Sequence, residues 1–502
     1  MFASGSCSCK NDFRLASIFS DYMVLQRMTS DNITIPTLWG YGEPNTIVTA
    51  KVSNVLNEFS TTVGDDGKWM VEINEPSLVG SGYSIQIVNQ NLKRLEERST
   101  TLNDVAFGDV WFCSGQSNMQ WLVKGVRNAE MEMETATMYE DIRLLKIVKQ
   151  ASTEPIDEPL GFSTHWAKPE LEFLTGESFS AICLFFGEQI YDELNVPIGL
   201  IDASVGGTFI EAWSPPEALA ACGVDDDGVG NDKNHNEYLW NAMIHPFLKM
   251  AIKGALWYQG ENNAGYSNSN YRGHNRDIYD CTFSNLITSW RQNWHNSDPE
   301  FPFGFVQLAP YTDQRTYLAW PQLRWSQANV AETLNNVFMA TSVDDDFNLH
   351  PKNKRLPATR LGWAAANMVY DLQDRPLHGP LPSIVSLDNQ EVILSFSSPI
   401  SPIVVEDDRF MVCCEATAEE CDQLAYGEGW QGVQIVGMVE DDDTQIKLDL
   451  GSACEGRTPS SLAYLWLETP CAAEESCPLY SSDQYKMPVA PFRLDVTSIA
   501  EN

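Results

Sequence analysis

Two short polar segments that follow predicted β-strands contain the residue types needed for acyl transfer. Ser117 lies in a glycine-containing turn after the predicted strand 109–113, where a serine hydroxyl can be exposed as a nucleophile. His350 follows the predicted strand 337–342 and three consecutive aspartates. Because an imidazole near a carboxylate can act as a general base, these residues predict nucleophilic catalysis by a serine and a histidine.

Two further segments could stabilise the oxyanion of such a reaction. Gly207 is the second of two adjacent glycines after the predicted strand 198–203, and glycine lets a backbone N–H approach a ligand closely. Gln259 and Asn263 follow the predicted strand 252–258 and carry amide donors. Each segment alone also fits a structural role, such as a helix N-cap for the serine or an ordinary turn for the others. Four such segments at four strand ends favour the catalytic interpretation.

The middle of the chain, residues 106–380, predicts the α/β fold that would bring these segments together. Apolar strand patterns alternate there with helical patterns such as those at 280–294 and 357–370. This alternation indicates a parallel sheet covered by helices on both faces. Sites in such sheets lie at the carboxyl ends of the strands, which is where the four polar segments occur.

Short strands and turns flank this region on both sides. Residues 1–105 contain β-branched or alternating runs at 47–52 and 83–88, which predict a β-sandwich module. Residues 381–502 return to short strands and predict a second, cysteine-rich β module. The sequence therefore predicts three domains, with boundaries after residues 105 and 380.

The composition argues against several classes of protein. Among 502 residues, 32 Lys and Arg against 69 Asp and Glu give a formal net charge of −37. Such a charge disfavours a nucleic-acid-binding protein, which needs a basic surface for phosphates. With 43% hydrophobic and 20% charged residues, we expect a folded chain rather than a disordered one. We find no apolar run long enough to predict a membrane span.

The cysteines indicate an oxidising compartment. Six of the 12 lie after position 412, in loop-like sequence without a C-x-x-C pair: Cys413, Cys414, Cys421, Cys454, Cys471 and Cys477. This pattern favours disulfides over a zinc site. The glycosylation sequon that begins at Asn32 agrees with that compartment. The first residues lack the pattern of a signal peptide, so we expect one to be absent or removed, and we expect a secreted or lysosomal location.

Three blocks of the sequence resemble the sialate O-acetylesterase family of the SGNH hydrolase superfamily. They are 108–119 (GDVWFCSGQSNM), 257–263 (WYQGENN) and 350–354 (HPKNK). Shorter matches at 21–27 and 488–492, among others, extend the resemblance to nearly the whole chain. The resemblance implies an SGNH-type, flavodoxin-like three-layer α/β/α domain with a parallel sheet, flanked by N- and C-terminal β-sandwich-like modules.

The resemblance also implies roles for individual residues. Ser117 occupies the nucleophile position and His350 the general-base position. The backbone N–H groups of Ser117 and Gly207, together with the side-chain amide of Gln259 or Asn263, would form the oxyanion hole.

The carboxylate that would orient the histidine is where this sequence departs from the family pattern. Relatives often carry it three or two residues before the histidine, where this chain has Phe347 and Asn348. Asp346, four residues before His350, is the nearest carboxylate and our candidate. Asn348 or a backbone carbonyl could hold the imidazole instead.

The predicted substrate-binding residues are Gln116, Trp121, Trp213, Glu261 and Arg324. The two tryptophans could stack on a sugar ring, and the arginine could bind a sialate carboxylate through two hydrogen bonds. Core packing is the alternative for the aromatic residues, and a surface ion pair is the alternative for the arginine.

The resemblance implies removal of O-acetyl groups from sialic acids through a Ser-His acyl-enzyme, without a metal ion or other cofactor. The first alternative is an esterase for acetyl-xylan or another acetylated polysaccharide. The second is a non-catalytic carbohydrate-binding protein on the same scaffold. Ser117 and His350 together favour an enzyme, whereas the missing aspartate three residues before the histidine weakly favours a binding protein.

Overall fold

A computed structural model describes residues 13–29, 34–224, 233–265, 275–311, 319–388, 390–402, 409–415, 417, 420–421, 429–457, 459–471 and 473–496. Residues 32 and 33 of the sequon lie outside this described part. Its helices, in chain order, are α1 (Ser117–Gln120), α2 (Ala129–Ala136), α3 (Leu171–Thr175), α4 (Ala181–Leu194), α5 (Pro216–Ala221), α6 (Tyr279–Asn293), α7 (Ala319–Thr333) and α8 (Arg355–Tyr370).

The strands of the first part of the chain are β1 (Arg14–Leu15), β2 (Val24–Gln26), β3 (Thr37–Tyr41), β4 (Ile47–Val52), β5 (Glu58–Thr62), β6 (Lys68–Glu72), β7 (Gly80–Asn91), β8 (Glu96–Gly115), β9 (Ile142–Ile147), β10 (Phe162–Ala167), β11 (Ile198–Ser204) and β12 (Gly254–Tyr258). Those that follow are β13 (Phe303–Val306), β14 (Val337–Ala340), β15 (Pro382–Asp388), β16 (Glu391–Phe396), β17 (Ile400–Pro402), β18 (Phe410–Cys413), β19 (Trp430–Val439), β20 (Asp442–Asp449), β21 (Ser461–Tyr464), β22 (Leu479–Ser481) and β23 (Phe492–Asp495).

The chain folds into two compact units. The first contains the described residues of 1–115, 119–257 and 285–303, and the second those of 116–118, 258–284 and 304–502. Helices and strands alternate between residues 117 and 370, so the prediction of an α/β fold is confirmed.

A sheet with parallel pairs lies at the centre of the first unit, in the order β10-β9-β11-β8-β12. Strand β11 pairs in parallel with β8 on one side and with β9 on the other. All residues of β11 and β12 are buried, which is typical of parallel strands covered on both faces. Strand β8 is continuous across residue 105, where the sequence predicts a domain boundary. One strand therefore serves both regions, because its first half pairs with β7 and its second half with β11.

Helix α4 covers this sheet at close range. Ser180 caps its N-terminus by accepting a hydrogen bond from the backbone N–H of Cys183 at 3.3 Å. A Cβ atom at Gly187 would lie 2.6 Å from Cδ1 of Leu200 in β11, so a larger residue there would require the leucine side chain to shift. A disulfide between Cys113 and Cys183 joins the helix to β8.

The second unit contains the loop that follows β14 and the helices packed on that strand. Strands β13 and β14 are neighbours, and helices α7 and α8 both pack against β14. Helix α8 buries an apolar stripe that includes Ala358, Leu361 and Ala365. The loop between β14 and α8 holds His350.

The C-terminal part of the second unit is an antiparallel sheet in the order β15-β16-β20-β19-β18-β21-β23. The six cysteines singled out from the sequence form three disulfides: Cys413–Cys421, Cys414–Cys454 and Cys471–Cys477. The prediction of disulfides is therefore confirmed. Among the described residues, no helix is long and apolar enough to cross a membrane.

Candidate active site

Ser117 begins the single helical turn α1, directly after the glycine that ends β8. The preceding Gln116 is buried and holds this turn in place. Its backbone N–H donates to the carbonyl of Tyr258 at 2.9 Å. Its side-chain Oε1 accepts from the backbone N–H groups of Gly260 and Asn262 at 3.4 and 3.2 Å. Gln116, predicted to bind substrate, therefore supports the nucleophile turn in this structure.

The serine and the histidine lie side by side. Nε2 of His350 is 2.8 Å from Oγ of Ser117, within hydrogen-bonding distance for proton transfer. The backbone N–H of His350 donates to Oδ1 of Asn348 at 3.1 Å, which shapes the loop. Burial, and to a lesser degree the charge of Lys354, lowers the pKa of His350 below 6.5. The imidazole is therefore neutral, and able to accept a proton, at neutral pH.

The first of the three aspartates before His350, Asp344, forms a buried ion pair. Both carboxylate oxygens of Asp344 accept from the guanidinium of Arg360, at 2.6 and 2.8 Å. The hydroxyl of Tyr480 donates to the same carboxylate at 3.1 Å. Asp344 and Arg360 are both buried, so the ion pair belongs to the core beneath the loop.

The other two aspartates shape the histidine loop. Asp345 is buried, and it accepts from the backbone N–H of Asp346 at 2.7 Å and from the hydroxyl of Ser342 at 3.2 Å. Burial raises its pKa to about 7. Asp346 is partly exposed and accepts from the backbone N–H of Lys352 at 3.4 Å. Its action on the imidazole of His350 stays a prediction.

The predicted amide donors Gln259 and Asn263 are in contact with each other. Nε2 of Gln259 donates to Oδ1 of Asn263 at 2.6 Å, and its Oε1 accepts from the hydroxyl of Tyr279 at 2.8 Å. Both amides are buried. This bond fixes the two amides against each other, and which of them donates to the oxyanion stays a prediction.

The glycine candidate for the oxyanion hole belongs to the first unit. Gly207 has a φ of +71°, a left-handed conformation that favours glycine. Its carbonyl accepts from Nδ2 of Asn234 at 3.1 Å. The backbone N–H of the preceding Gly206 donates to Oε1 of Gln120 at 3.0 Å. The turn is thus tightly held, and the role of Gly207 in catalysis stays a prediction.

The two tryptophans differ in exposure. Trp121 is partly exposed, and its indole N–H donates to the carbonyl of Gly125 at 3.0 Å. Trp213 is 0% exposed, packs edge-on against Trp257, and donates to Oγ1 of Thr208 at 2.9 Å. The packing alternative therefore describes Trp213, whose position does not support stacking on a sugar.

Arg324 is also in the interior rather than on the surface. It is 0% exposed, and its guanidinium donates to the backbone carbonyls of Leu308, Ala309, Leu467 and Glu468 at 2.7–3.0 Å. Burial lowers its pKa to about 9. This geometry gives Arg324 a structural role in joining two loops, and it does not support either the predicted contact with a carboxylate or a surface ion pair.

The sequence did not single out two buried residues next to the reacting pair, Asn118 and Lys354. Nζ of Lys354 donates to Oδ1 of Asn118 at 2.5 Å, and Nδ2 of Asn118 donates to the carboxylate of Glu261. Glu261, predicted to bind substrate, is 1% exposed, and burial raises its pKa. Both missed residues stand inside the blocks that carry the family resemblance, and this position is the signal that could have identified them.

Among the residues that the structure describes, no group of three or more His, Cys, Asp and Glu side chains is arranged to hold a metal ion. What the described geometry can do chemically is transfer a proton from a serine to a neutral histidine. This is the first step of nucleophilic acyl transfer.

Two family models match the chain. The model described as carbohydrate esterase, sialic acid-specific acetylesterase, matches residues 107–362. The model described as sialate O-acetylesterase C-terminal domain matches residues 383–496.

Curated proteins and solved structures are similar as well. The sialate O-acetylesterase of Mus musculus is 32% identical over 96% of this chain and 94% of its own length. That of Homo sapiens is 32% identical over 97% of this chain and 93% of its own. A solved carbohydrate acetylesterase from Xanthomonas citri is 24% identical, with a TM-score of 0.78 over 96% of this chain and 99% of its own; at that identity, the likeness supports the fold alone.

Proposed function

The chain belongs to the sialate O-acetylesterase family and is a carboxylic ester hydrolase, and from that premise we propose that Ser117 and His350 carry out the reaction. The substrate is an O-acetylated sialic acid, as the names of the relatives indicate. The observation that carries the proposal is the distance of 2.8 Å between Oγ of Ser117 and Nε2 of His350. The two residues are 233 positions apart in the chain, so chance proximity is a poor explanation for their contact.

The reaction has two steps. Nε2 of His350 takes the proton of the Ser117 hydroxyl while Oγ attacks the acetyl carbonyl carbon and forms a tetrahedral oxyanion. The oxyanion collapses, the sugar oxygen leaves with the proton from His350, and an acetyl-serine remains. Water, deprotonated by His350, then attacks this ester and releases acetate and the free serine. The lowered pKa of His350 keeps the imidazole in its accepting form to a lower pH than usual.

The oxyanion is held by the backbone N–H group of Ser117 and by the side-chain amide of Gln259 or Asn263, and Gly207 stays a predicted donor. The two amides are coupled, because Nε2 of Gln259 donates to Oδ1 of Asn263 at 2.6 Å. Loss of one such donor in other hydrolases costs about 2.7–4 kcal/mol of transition-state stabilisation. Asp346 is the carboxylate that stabilises the imidazolium during the reaction.

The proposal also includes the division of the chain into three domains. Residues 106–380 form an SGNH-type, flavodoxin-like catalytic domain, between an N-terminal β module (1–105) and a cysteine-rich C-terminal β module (381–502). The two family models, which match 107–362 and 383–496, support the second and third domains. The disulfides support a secreted or lysosomal location.

The test is the variant Ser117→Ala, assayed for acetate release from O-acetylated sialic acid, acetyl-xylan and p-nitrophenyl acetate. We expect its kcat on the sialate to fall about 10⁴- to 10⁶-fold, as for other serine nucleophiles, with an unchanged melting temperature. Ser114→Ala is the matched control, because that buried hydroxyl only donates to the carbonyl of Ala203.

Three outcomes would contradict parts of this proposal. Near-native turnover by Ser117→Ala would reject the nucleophile. Faster release of acetate from acetyl-xylan than from the sialate would reassign the substrate. No turnover of any ester by the wild-type protein would favour a carbohydrate-binding role.

A further inference from the structure

The side chain of Asn118 joins three segments that surround the reacting pair. Its Oδ1 accepts from Nζ of Lys354, and its Nδ2 donates both to the carboxylate of Glu261 and, at 2.9 Å, to the backbone carbonyl of Leu349. Asn118 is 1% exposed, so the amide itself does not face solvent. Its hydrogen bonds are all directed at protein groups.

Two of these partners flank His350 in the chain, and Asn118 itself adjoins Ser117. Asn118 directly follows Ser117. Leu349 directly precedes His350, and Lys354 follows it by four residues. The amide of Asn118 thus contacts the histidine loop both before and after His350. Asn118 is also the next residue in the chain after the nucleophile Ser117.

Lys354 is an unusual residue to find in this place. It is buried at the start of helix α8, with its ammonium group 5.4 Å from the centre of the Tyr258 ring. The carboxyl groups of Asp345 and Glu261 act on the same charge. A buried ammonium is costly unless it is paired and hydrogen-bonded, and Asn118 supplies the hydrogen bond.

We propose that Asn118 is a positioning residue that keeps the Ser117 turn and the His350 loop in register for proton transfer, and that Lys354 holds it there. The proposal rests on the proposed function of Ser117 and His350. Asn118 bonds to Glu261, Leu349 and Lys354 rather than to Oγ of Ser117 or Nε2 of His350, so it acts through the geometry of the serine–histidine pair.

This role predicts a particular kinetic signature. A displacement of about 1 Å between reacting groups can cost about 10²-fold in rate. Because Asn118 is buried and bonded only to protein, its loss should leave substrate affinity nearly unchanged. We therefore expect kcat to fall and KM to stay nearly constant.

The experiment compares Asn118→Asp and Asn118→Ala with the wild type on p-nitrophenyl acetate, and measures the labelling rate of Ser117 by a fluorophosphonate. Asn118→Asp keeps the size and the acceptor for Lys354, but it removes the donor to Glu261 and Leu349. We expect kcat and the labelling rate to fall about 10²-fold in both variants, with KM within about threefold of the wild-type value. Lys354→Arg should retain more activity than Lys354→Met, because it keeps a buried cationic donor.

Asn89→Ala is the matched control. Asn89 is a buried asparagine of the first unit that donates to Oγ1 of Thr46 at 2.7 Å. Its loss should lower stability without changing kcat. If Lys354→Met does not fold, the two Asn118 variants decide the question.

The proposal is overturned if folded Asn118→Asp and Asn118→Ala keep kcat within threefold of the wild type. It is also overturned if kcat changes no more than in the Asn89 control at equal loss of stability. These results differ from a failure of the proposed function, in which Ser117→Ala itself would remain active.

Discussion

Asp344 and Asp345 are neighbours in the chain, yet their carboxyl groups belong to two buried clusters that differ in charge balance. The Arg360 cluster consists of Asp344, Arg360 and Tyr480. Its single negative charge meets a single positive charge through two hydrogen bonds at 2.6 and 2.8 Å, and a tyrosine hydroxyl adds a third. Every charge in this cluster is paired.

The Lys354 cluster consists of Asp345, Glu261, Lys354 and Asn118. Here two buried carboxyl groups, those of Asp345 and Glu261, interact electrostatically with one ammonium group, that of Lys354. Burial raises the pKa of Asp345 to about 7 and lowers that of Lys354 to about 8. The comparison shows that a directly paired cluster suits a structural role, whereas burial brings the pKa values of the Lys354 cluster toward neutrality, as active sites commonly do.

The largest expected effect comes from unbalancing the paired cluster. Arg360→Met would leave the Asp344 carboxylate buried without its partner, which costs about 3–5 kcal/mol in comparable cases. We expect a loss of that size in the free energy of unfolding, measured by urea denaturation. Arg375→Met is the control, since its ion pair with Asp374 is on the surface, where about 1 kcal/mol or less is typical. Equal losses in the two variants would show that the Arg360 cluster is not a structural ion pair.

A pH-dependent effect, smaller within any one pH unit, is expected in the Lys354 cluster. The pKa of Asp345, about 7 in the folded state, lies above the value of about 3.9 for an unfolded aspartate. Between these values the folded state holds a proton that the unfolded state has released, so the free energy of unfolding falls as pH rises. Asp345→Asn cannot titrate, and relative to the wild type it should gain up to about 1.4 kcal/mol per pH unit from pH 4 to 7.

Urea denaturation of both proteins at several pH values in this range measures that difference. Parallel pH profiles for the wild type and Asp345→Asn would contradict the raised pKa, and with it the contrast between the two clusters.

The strands and helices of the catalytic region could be predicted closely from sequence periodicity. The predicted strand 198–203 is Ile198–Ser204 in the structure, and the predicted helix 280–294 is Tyr279–Asn293. Ser117 and His350 were identifiable because polar residues directly after buried strands mark the edge where the loops of a sheet converge.

The burial of individual side chains could not be predicted in the same way. Arg324 lies on helix α7, but the amphipathic pattern of a helix does not tell whether a long cationic side chain turns inward to backbone carbonyls or outward to solvent. A lysine just before a predicted helix, such as Lys354, is likewise expected to be exposed. Its burial depends on Asn118, Asp345 and Glu261, which come from distant parts of the sequence.

The smallest expected effect concerns the third hydrogen bond of the Arg360 cluster. The Tyr480 hydroxyl donates to Asp344 at 3.1 Å and accepts from the backbone N–H of Cys477 at 3.0 Å. Tyr480→Phe removes both bonds but leaves the ion pair intact, so we expect a loss of about 1–3 kcal/mol in the free energy of unfolding. Because the Lys354 cluster keeps all its partners, kcat on p-nitrophenyl acetate should stay within twofold of the wild type. A tenfold fall in kcat at unchanged stability would mean that the two clusters act as one network around His350, and that the adjacent aspartates do not divide structure from chemistry.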